Sequence, residues 1–108
     1  MINQLRIYEI FDDTSAAFLA RFDAHAARIM NRHGFRILAM WETTADGKPA
    51  FAYLLSWQSE EEMKEKWASF MADEEWIEIK RQTVPDKGQL VGDISELILT
   101  PTAFSAAL

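Results

Sequence analysis

The chain has 108 residues, 49% of them hydrophobic and 26% charged, with no cysteine, two histidines and a formal net charge of −6. That supports one globular domain with a real core, and without cysteine it excludes disulfides, thiolate metal sites and cysteine nucleophiles, so no metal and no cofactor is expected. The acidic balance argues against nucleic acid and an anionic membrane surface as partners, and the longest apolar run, residues 50–55, is far short of the roughly 20 residues of a spanning helix.

Residues 2–11 alternate, with Leu5, Ile7 and Phe11 on one face and Arg6, Tyr8 and Ile10 on the other, which predicts a first strand. Asp12-Asp13-Thr14-Ser15 supplies capping and acidic residues for a helix start. The helix is expected to reach about His33, with a buried stripe of Phe18, Leu19, Phe22, Ala26, Ile29, Met30 and His33. Gly34 then ends it, because glycine takes the left-handed conformation at low cost. Strands two and three are expected at residues 35–43 and 50–57, joined by Asp46-Gly47, a strong signal for a two-residue hairpin turn. That turn sets Leu38 opposite Leu55, Met40 opposite Tyr53 and Glu42 opposite Phe51. Ile37, Ala39, Trp41, Ala52 and Leu54 then lie on the reverse face, and a slip by one residue swaps the partners but leaves both faces apolar.

Ser59-Glu60-Glu61-Glu62 reads as a capping box, opening a helix whose stripe is Met63, Trp67, Phe70 and Met71. Asp73-Glu74-Glu75-Trp76 starts a short second helix carrying Trp76, Ile77 and Ile79. Residues 84–93, with Pro85, Gly88 and Gly92, read as the one long loop, and residues 96–100 as a last strand stopped by Pro101. The order strand–helix–strand–strand–helix–strand is that of a ferredoxin-like α+β fold, an antiparallel sheet with helices on one face. Residues 1–108 form a single domain with no repeat or linker. Burying a large apolar side chain stabilises by about 1.5–3 kcal/mol, so the second apolar face of this sheet calls for a cover. A second copy of the chain, packed face to face as a homodimer, supplies one.

Several of these pieces together resemble the NIPSNAP family: the strand Leu5-Arg6-Ile7-Tyr8, Gly34, Trp41 before the hairpin, the strand Leu54-Leu55-Ser56-Trp57, the cap Asp73-Glu74-Glu75-Trp76 and the closing Leu99-Thr100-Pro101-Thr102-Ala103-Phe104-Ser105. The resemblance covers nearly the whole chain, with Glu74 standing where members often have proline. It implies a dimeric α+β barrel, in which two ferredoxin-like sheets close face to face. That scaffold also carries cofactor-free monooxygenases, haem-degrading enzymes and small-molecule lyases. Fold does not carry function, and the family brings no catalytic motif to transfer. Mitochondrial members have leader segments; none is read here, so a cytoplasmic location is expected.

The candidate functional residues each have a plain structural reading beside them. His25 and His33 lie on or near the apolar stripe of the first helix and could act as general bases or ligands. His33 equally suits a helix C-terminus, and His25 a half-buried surface position. Arg6, Tyr8, Arg36 and Tyr53 are the polar groups on apolar strands, able to orient a ligand or to pair across the sheet. Trp41 and Trp57 are pocket candidates, whereas Trp67 and Trp76 fall at helical core spacing. The run Glu60-Glu61-Glu62 is a solvated helix start. Across residues 59–81 the charge is −4, and across residues 15–34 it is +2, a contrast that could guide helix pairing.

The reading that best fits is a homodimer holding a small apolar or aromatic ligand, with pocket candidates Tyr8, His25, Arg36, Trp41, Tyr53 and Trp57. An enzyme version would be a cofactor-independent monooxygenase or lyase acting on an aromatic or quinone-like substrate, with Tyr8, Tyr53 or His25 moving a proton. A third reading is a protein-interaction module, in which the apolar tail 103–108 either docks on the neighbouring subunit or serves as the partner-binding piece. Ala50-Phe51-Ala52-Tyr53-Leu54 partly matches an RNA-stacking strand, but Pro49 and Ser56 depart from that pattern and the acidic charge opposes it.

Overall fold

A computed structural model describes residues 1–84 and 89–108 of the chain. Four strands, β1 (Ile2–Glu9), β2 (Arg36–Ala45), β3 (Lys48–Trp57) and β4 (Ile94–Leu99), form one antiparallel sheet in the order β2-β3-β1-β4. Against one face of it pack α1 (Ser15–Arg21), a π-helical turn (Phe22–Ala26), α2 (Ala27–Arg32), α3 (Glu60–Met71) and α4 (Glu74–Gln82). This is the ferredoxin-like α+β arrangement. Of the expected loop at residues 84–93, Pro85 and Gly88 lie outside the described residues. Among the described residues no helix is long and apolar enough to cross a membrane.

The hairpin turn sets the sheet. Asp46 and Gly47 both have positive φ, 53° and 73°, the twist that matches the right-handed twist of flanking strands. The expected pairs Met40–Tyr53 and Glu42–Phe51 follow. The pair Leu38–Leu55 does not: a β-bulge at Leu38 sets Ile37 opposite Leu55 and Ala39 opposite Leu54. A bulge adds one residue to one strand and reverses the facing of what precedes it. Ile37 therefore packs on the core, and Leu38 borders the outer face beside Asn3, Arg36 and Ser56.

The first helix ends as its glycine requires. Gly34 has φ +87°, its N–H donates to the Asn31 carbonyl, and the Phe35 N–H donates to that of Met30, both at 3.0 Å. Those two bonds make a Schellman closure. The π-helical turn within the rod is not legible from a 3.6-residue period, because it inserts one extra residue per turn. Phe18, Phe22, Ala26, Ile29 and Met30 all remain buried across it. At α3, Ser59 Oγ accepts from the Glu62 N–H at 3.1 Å, while Glu62 reaches back to the N–H of Gln58 rather than of Ser59. At α4, Asp73 Oδ1 accepts from the Trp76 N–H at 3.0 Å. Met71 and Ile77, expected in the buried stripes, are each about half exposed.

β1 and β3 divide their residues by alternation. Gln4, Tyr8, Phe51, Tyr53, Leu55 and Trp57 are buried beneath the helices. The reverse face carries Leu5, Ile7 and Leu54, with Trp41 49% and Leu97 57% exposed. The opposite charges of the two helical regions meet as ion pairs between α2 and α4. Arg28 holds Glu75 at 2.9 Å, and Arg32 holds Glu75 at 2.8 Å and Asp73 at 2.7 Å. His33 Nε2 lies 2.7 Å from the same Asp73 oxygen.

Hydrogen bonds from His33 and Arg32 hold the Asp73 carboxyl well below the usual carboxylate range, and Arg28 and Arg32 bring Glu75 to about 2. Both pKa values lie below those of the unfolded chain, so this stabilisation is present above about pH 4 and is lost as pH falls toward about 2. The doubly substituted Asp73→Asn/Glu75→Gln protein is expected to be less stable at neutral pH and to converge with the wild type in acid. Urea midpoints across that range check this; equal acid slopes for the two proteins would contradict it.

Candidate functional site

Period-two alternation brings Gln4, Arg6 and Tyr8 of β1 into one row beneath the helices. Buried polar groups need partners, and the row finds them in series. Gln4 Oε1 accepts from the indole N–H of Trp57 at 3.0 Å and of Trp67 at 2.8 Å, and Gln4 Nε2 donates to Glu96 at 2.7 Å. Arg6 donates to the same Glu96 oxygen at 2.9 Å and to the Tyr8 hydroxyl at 3.1 Å, and its guanidinium lies 4.4 Å from the Trp67 ring centre. The Tyr8 and Tyr53 hydroxyls meet at 2.5 Å.

The electrostatics follow from that packing. Burial works against the Arg6 charge, but Tyr8, Tyr53 and Glu96 outweigh it and raise its pKa above the ordinary guanidinium value. The Glu96 carboxyl is lowered by its hydrogen bond from Arg6. Burial, reinforced by Tyr8, pushes the Tyr53 phenol well above its usual value, so it stays a neutral hydroxyl near pH 7. Arg6 Nε is buried and donates to no protein atom among the described residues.

A cavity of about 220 Å³ lies between this row and the helices. Arg6 and Tyr8 form its floor, Phe22 and Trp67 part of its walls, and Trp76 with Phe70, stacked at 5.2 Å, its far side. Arg21, at the start of the π-helical turn, and Lys80 of α4 stand at its border. A π-helical turn beside a ligand site is a recurrent association.

Of the sequence candidates, Tyr8 borders this cavity, and Tyr53 stands directly behind it through the hydroxyl pair. The other four are placed elsewhere. Trp57 is fully buried against Phe35, its N–H committed to Gln4. Arg36 and Trp41 lie on the reverse face of the sheet, because they pair with Ser56 and Ala52, which alternate with the inward residues of β3. His25 sits on the outer side of the π-helical turn, 3.3 Å from Arg28. Trp67 and Trp76, read as packing, border the cavity, as do Arg21 and Lys80, which the sequence reading did not single out. The one signal for Arg21 is a cation immediately before Phe22 on an otherwise apolar stripe.

Two other groupings are structural. His33 Nδ1 lies 2.9 Å from Ser69 Oγ and its Nε2 faces Asp73, an imidazole between a hydroxyl and a carboxylate. That trio ties α2 to α3 and α4 on the outer surface, with Asp73 already engaged by Arg32 and by the α4 cap. Phe51 and Tyr53, the RNA-stacking candidates, are buried beneath the helices and present no ring to a base. Among the described residues no three His, Asp or Glu side chains are placed to share a metal ion.

A family model described as NIPSNAP matches residues 3–106. A NIPSNAP-like domain protein from Burkholderia xenovorans has a similar structure, with a TM-score of 0.82 at 22% identity, covering 99% of this chain and 90% of that one. A NIPSNAP family protein from Agrobacterium tumefaciens superposes with a TM-score of 0.81 at 19% identity, over 97% of this chain and 91% of its own. A monooxygenase from Streptomyces coelicolor, solved in complex with nanaomycin D, matches more loosely, with a TM-score of 0.60 at 15% identity over 99% and 90% of the two chains. At these identities the likenesses bear on the fold. No curated protein matches the sequence.

Tyr8→Phe is expected to destabilise by about 1–3 kcal/mol, since it leaves Tyr53 and Arg6 each short of a buried partner. Adding Tyr53→Phe removes both members of the hydroxyl pair, and the double variant is expected to fall short of the sum of the singles by about 1 kcal/mol. Urea unfolding of the four proteins measures this coupling; simple additivity would show that the pair is not a unit.

Proposed function

The chain belongs to the NIPSNAP family, and from that premise we propose that it works as a homodimer whose subunits each hold a small aromatic ligand between the sheet and the helices. The observation that carries this is the aromatic cavity of about 220 Å³ over Arg6 and Tyr8. A cavity of about 150 Å³ accommodates benzene in other proteins, so this one suits one or two fused rings. Its walls of Phe22, Trp67 and Trp76 offer stacked and edge-on contacts, and Tyr8 and Arg6 offer the few polar groups that orient a ligand.

The pairing of subunits is supported by the reverse face of the sheet, where Leu5, Ile7, Leu54, Trp41 and Leu97 form a continuous apolar surface across all four strands. Patches of this kind on a soluble fold mark interaction surfaces. A catalytic reading is favoured by one further feature. The Tyr8 hydroxyl stands at the cavity with Tyr53 and Arg6 behind it, an arrangement suited to moving a proton at a phenol or enol. A cofactor-independent oxygenation or lyase reaction on an aromatic or quinone-like substrate would use it.

Methionine methyl NMR tests the pocket directly. Met30 and Met71 border the cavity, whereas Met1, Met40 and Met63 do not. Titration with naphthol is expected to shift the Met30 and Met71 methyls and leave the other three in place; uniform shifts, or none, would remove the pocket reading. Sedimentation is expected to show a dimer that Leu97→Glu converts to monomer. A wild-type monomer would remove the pairing.

A further inference from the structure

We infer that the ligand of this cavity is an aromatic acid, its ring held inside by Trp67, Trp76 and Phe22 and its carboxylate met at the border by Arg21 and Lys80. The inference rests on the pocket reading above and names the chemical class that the pocket takes.

The chain is acidic, with 17 acids against 11 bases, so carboxylate partners are plentiful. Arg6, Arg28 and Arg81 each hold one, and Arg32 holds two. Arg21 holds none among the described residues; its one polar bond is to the neutral Thr83 hydroxyl, at 3.3 Å. Lys80 likewise forms no ion pair there. Both cations lie over the same indole, Arg21 at 5.3 Å and Lys80 at 5.8 Å from the Trp76 ring centre. Two like charges converging on one buried ring repel each other, and an anion seated between them offsets that repulsion. Burial already weakens the hold of Arg21 on its proton, the direction that a missing counter-charge leaves uncorrected. No carboxylate borders the cavity among the described residues.

The placement of these cations fits a ligand with two unlike ends. Arg21 and Lys80 are shared between the aromatic cavity and a neighbouring groove of about 260 Å³ that includes Thr83 and Gln89. The ring end therefore lies on the aromatic side and the charged end at the junction, where Thr83 and Gln89 stand beside Val84, Leu90 and Val91. Arg suits a planar carboxylate because its donors form a fork, whereas Lys adds a point charge.

Calorimetric titration of the full chain with naphthoate and with its neutral isostere naphthamide separates charge from shape. The wild type is expected to bind naphthoate about tenfold or more tightly than the amide, since hydrogen bonds to a charged group carry the larger net stabilisation. Arg21→Gln/Lys80→Gln is expected to bring naphthoate to the amide's affinity and leave amide binding within about twofold. Lys64→Gln, which removes an exposed charge on α3 far in sequence from the border, is expected to leave the preference intact. Equal affinities in the wild type, with the Met30 and Met71 methyls still shifting, would overturn the anion preference and leave the pocket standing. If neither probe moves those methyls, the pocket reading fails and this inference falls with it.

Discussion

The central strand β1 must serve two environments at once, and its period of two residues is what allows it. On one side Leu5 and Ile7 join the open apolar face; on the other Gln4, Arg6 and Tyr8 lie beneath the helices, where every polar atom has to be matched. A glutamine and an arginine in an aromatic core would be costly alone. They are tolerated because Gln4 takes two indole N–H groups at once, and because Glu96 of the neighbouring strand accepts from both Gln4 and Arg6. The same bonds hold Trp67 over the Arg6 guanidinium and so define one wall of the cavity. Packing and site are therefore built from one set of contacts.

The aromatic residues form two groups, with the cavity at the junction. Around Phe35 lie Trp57, Trp67 and Phe70, at 4.8 to 5.5 Å. Around Phe22 lie Phe18, Phe51 and Tyr53, at 4.7 to 6.0 Å. Rigid rings in edge-on contact do not collapse into a gap as flexible aliphatic chains do. The space between the two groups stays open, and the π-helical turn carries Phe22 and the preceding Arg21 to its border.

Charge is distributed with the same division of labour. The outer helical surfaces are laced by Arg28, Arg32, Asp73 and Glu75, pairs whose net stabilisation is modest because water screens them. The cavity border carries the opposite arrangement: cations over an indole, facing no acid among the described residues. Among the described residues an acidic chain thereby places two cations at the cavity border, in spite of the net charge of −6.

Local chemistry in the sequence determined the elements. Asp46-Gly47 specified the hairpin, Gly34 the helix stop, Ser59 and Asp73 the two caps, and apolar alternation the strands, because each depends on neighbours within a few residues. Their order was enough for the ferredoxin-like fold. The tertiary structure alone decided which residues meet. The bulge at Leu38 and the π-helical turn each shift register by one residue, which no hydrophobic period records. Trp57 and Trp67 look alike as apolar positions, yet the first is sealed in the core and the second faces the cavity. The site joins Arg6, Tyr8, Arg21, Trp67 and Lys80 from one strand and three helices, and their convergence depends on packing between elements far apart in the chain.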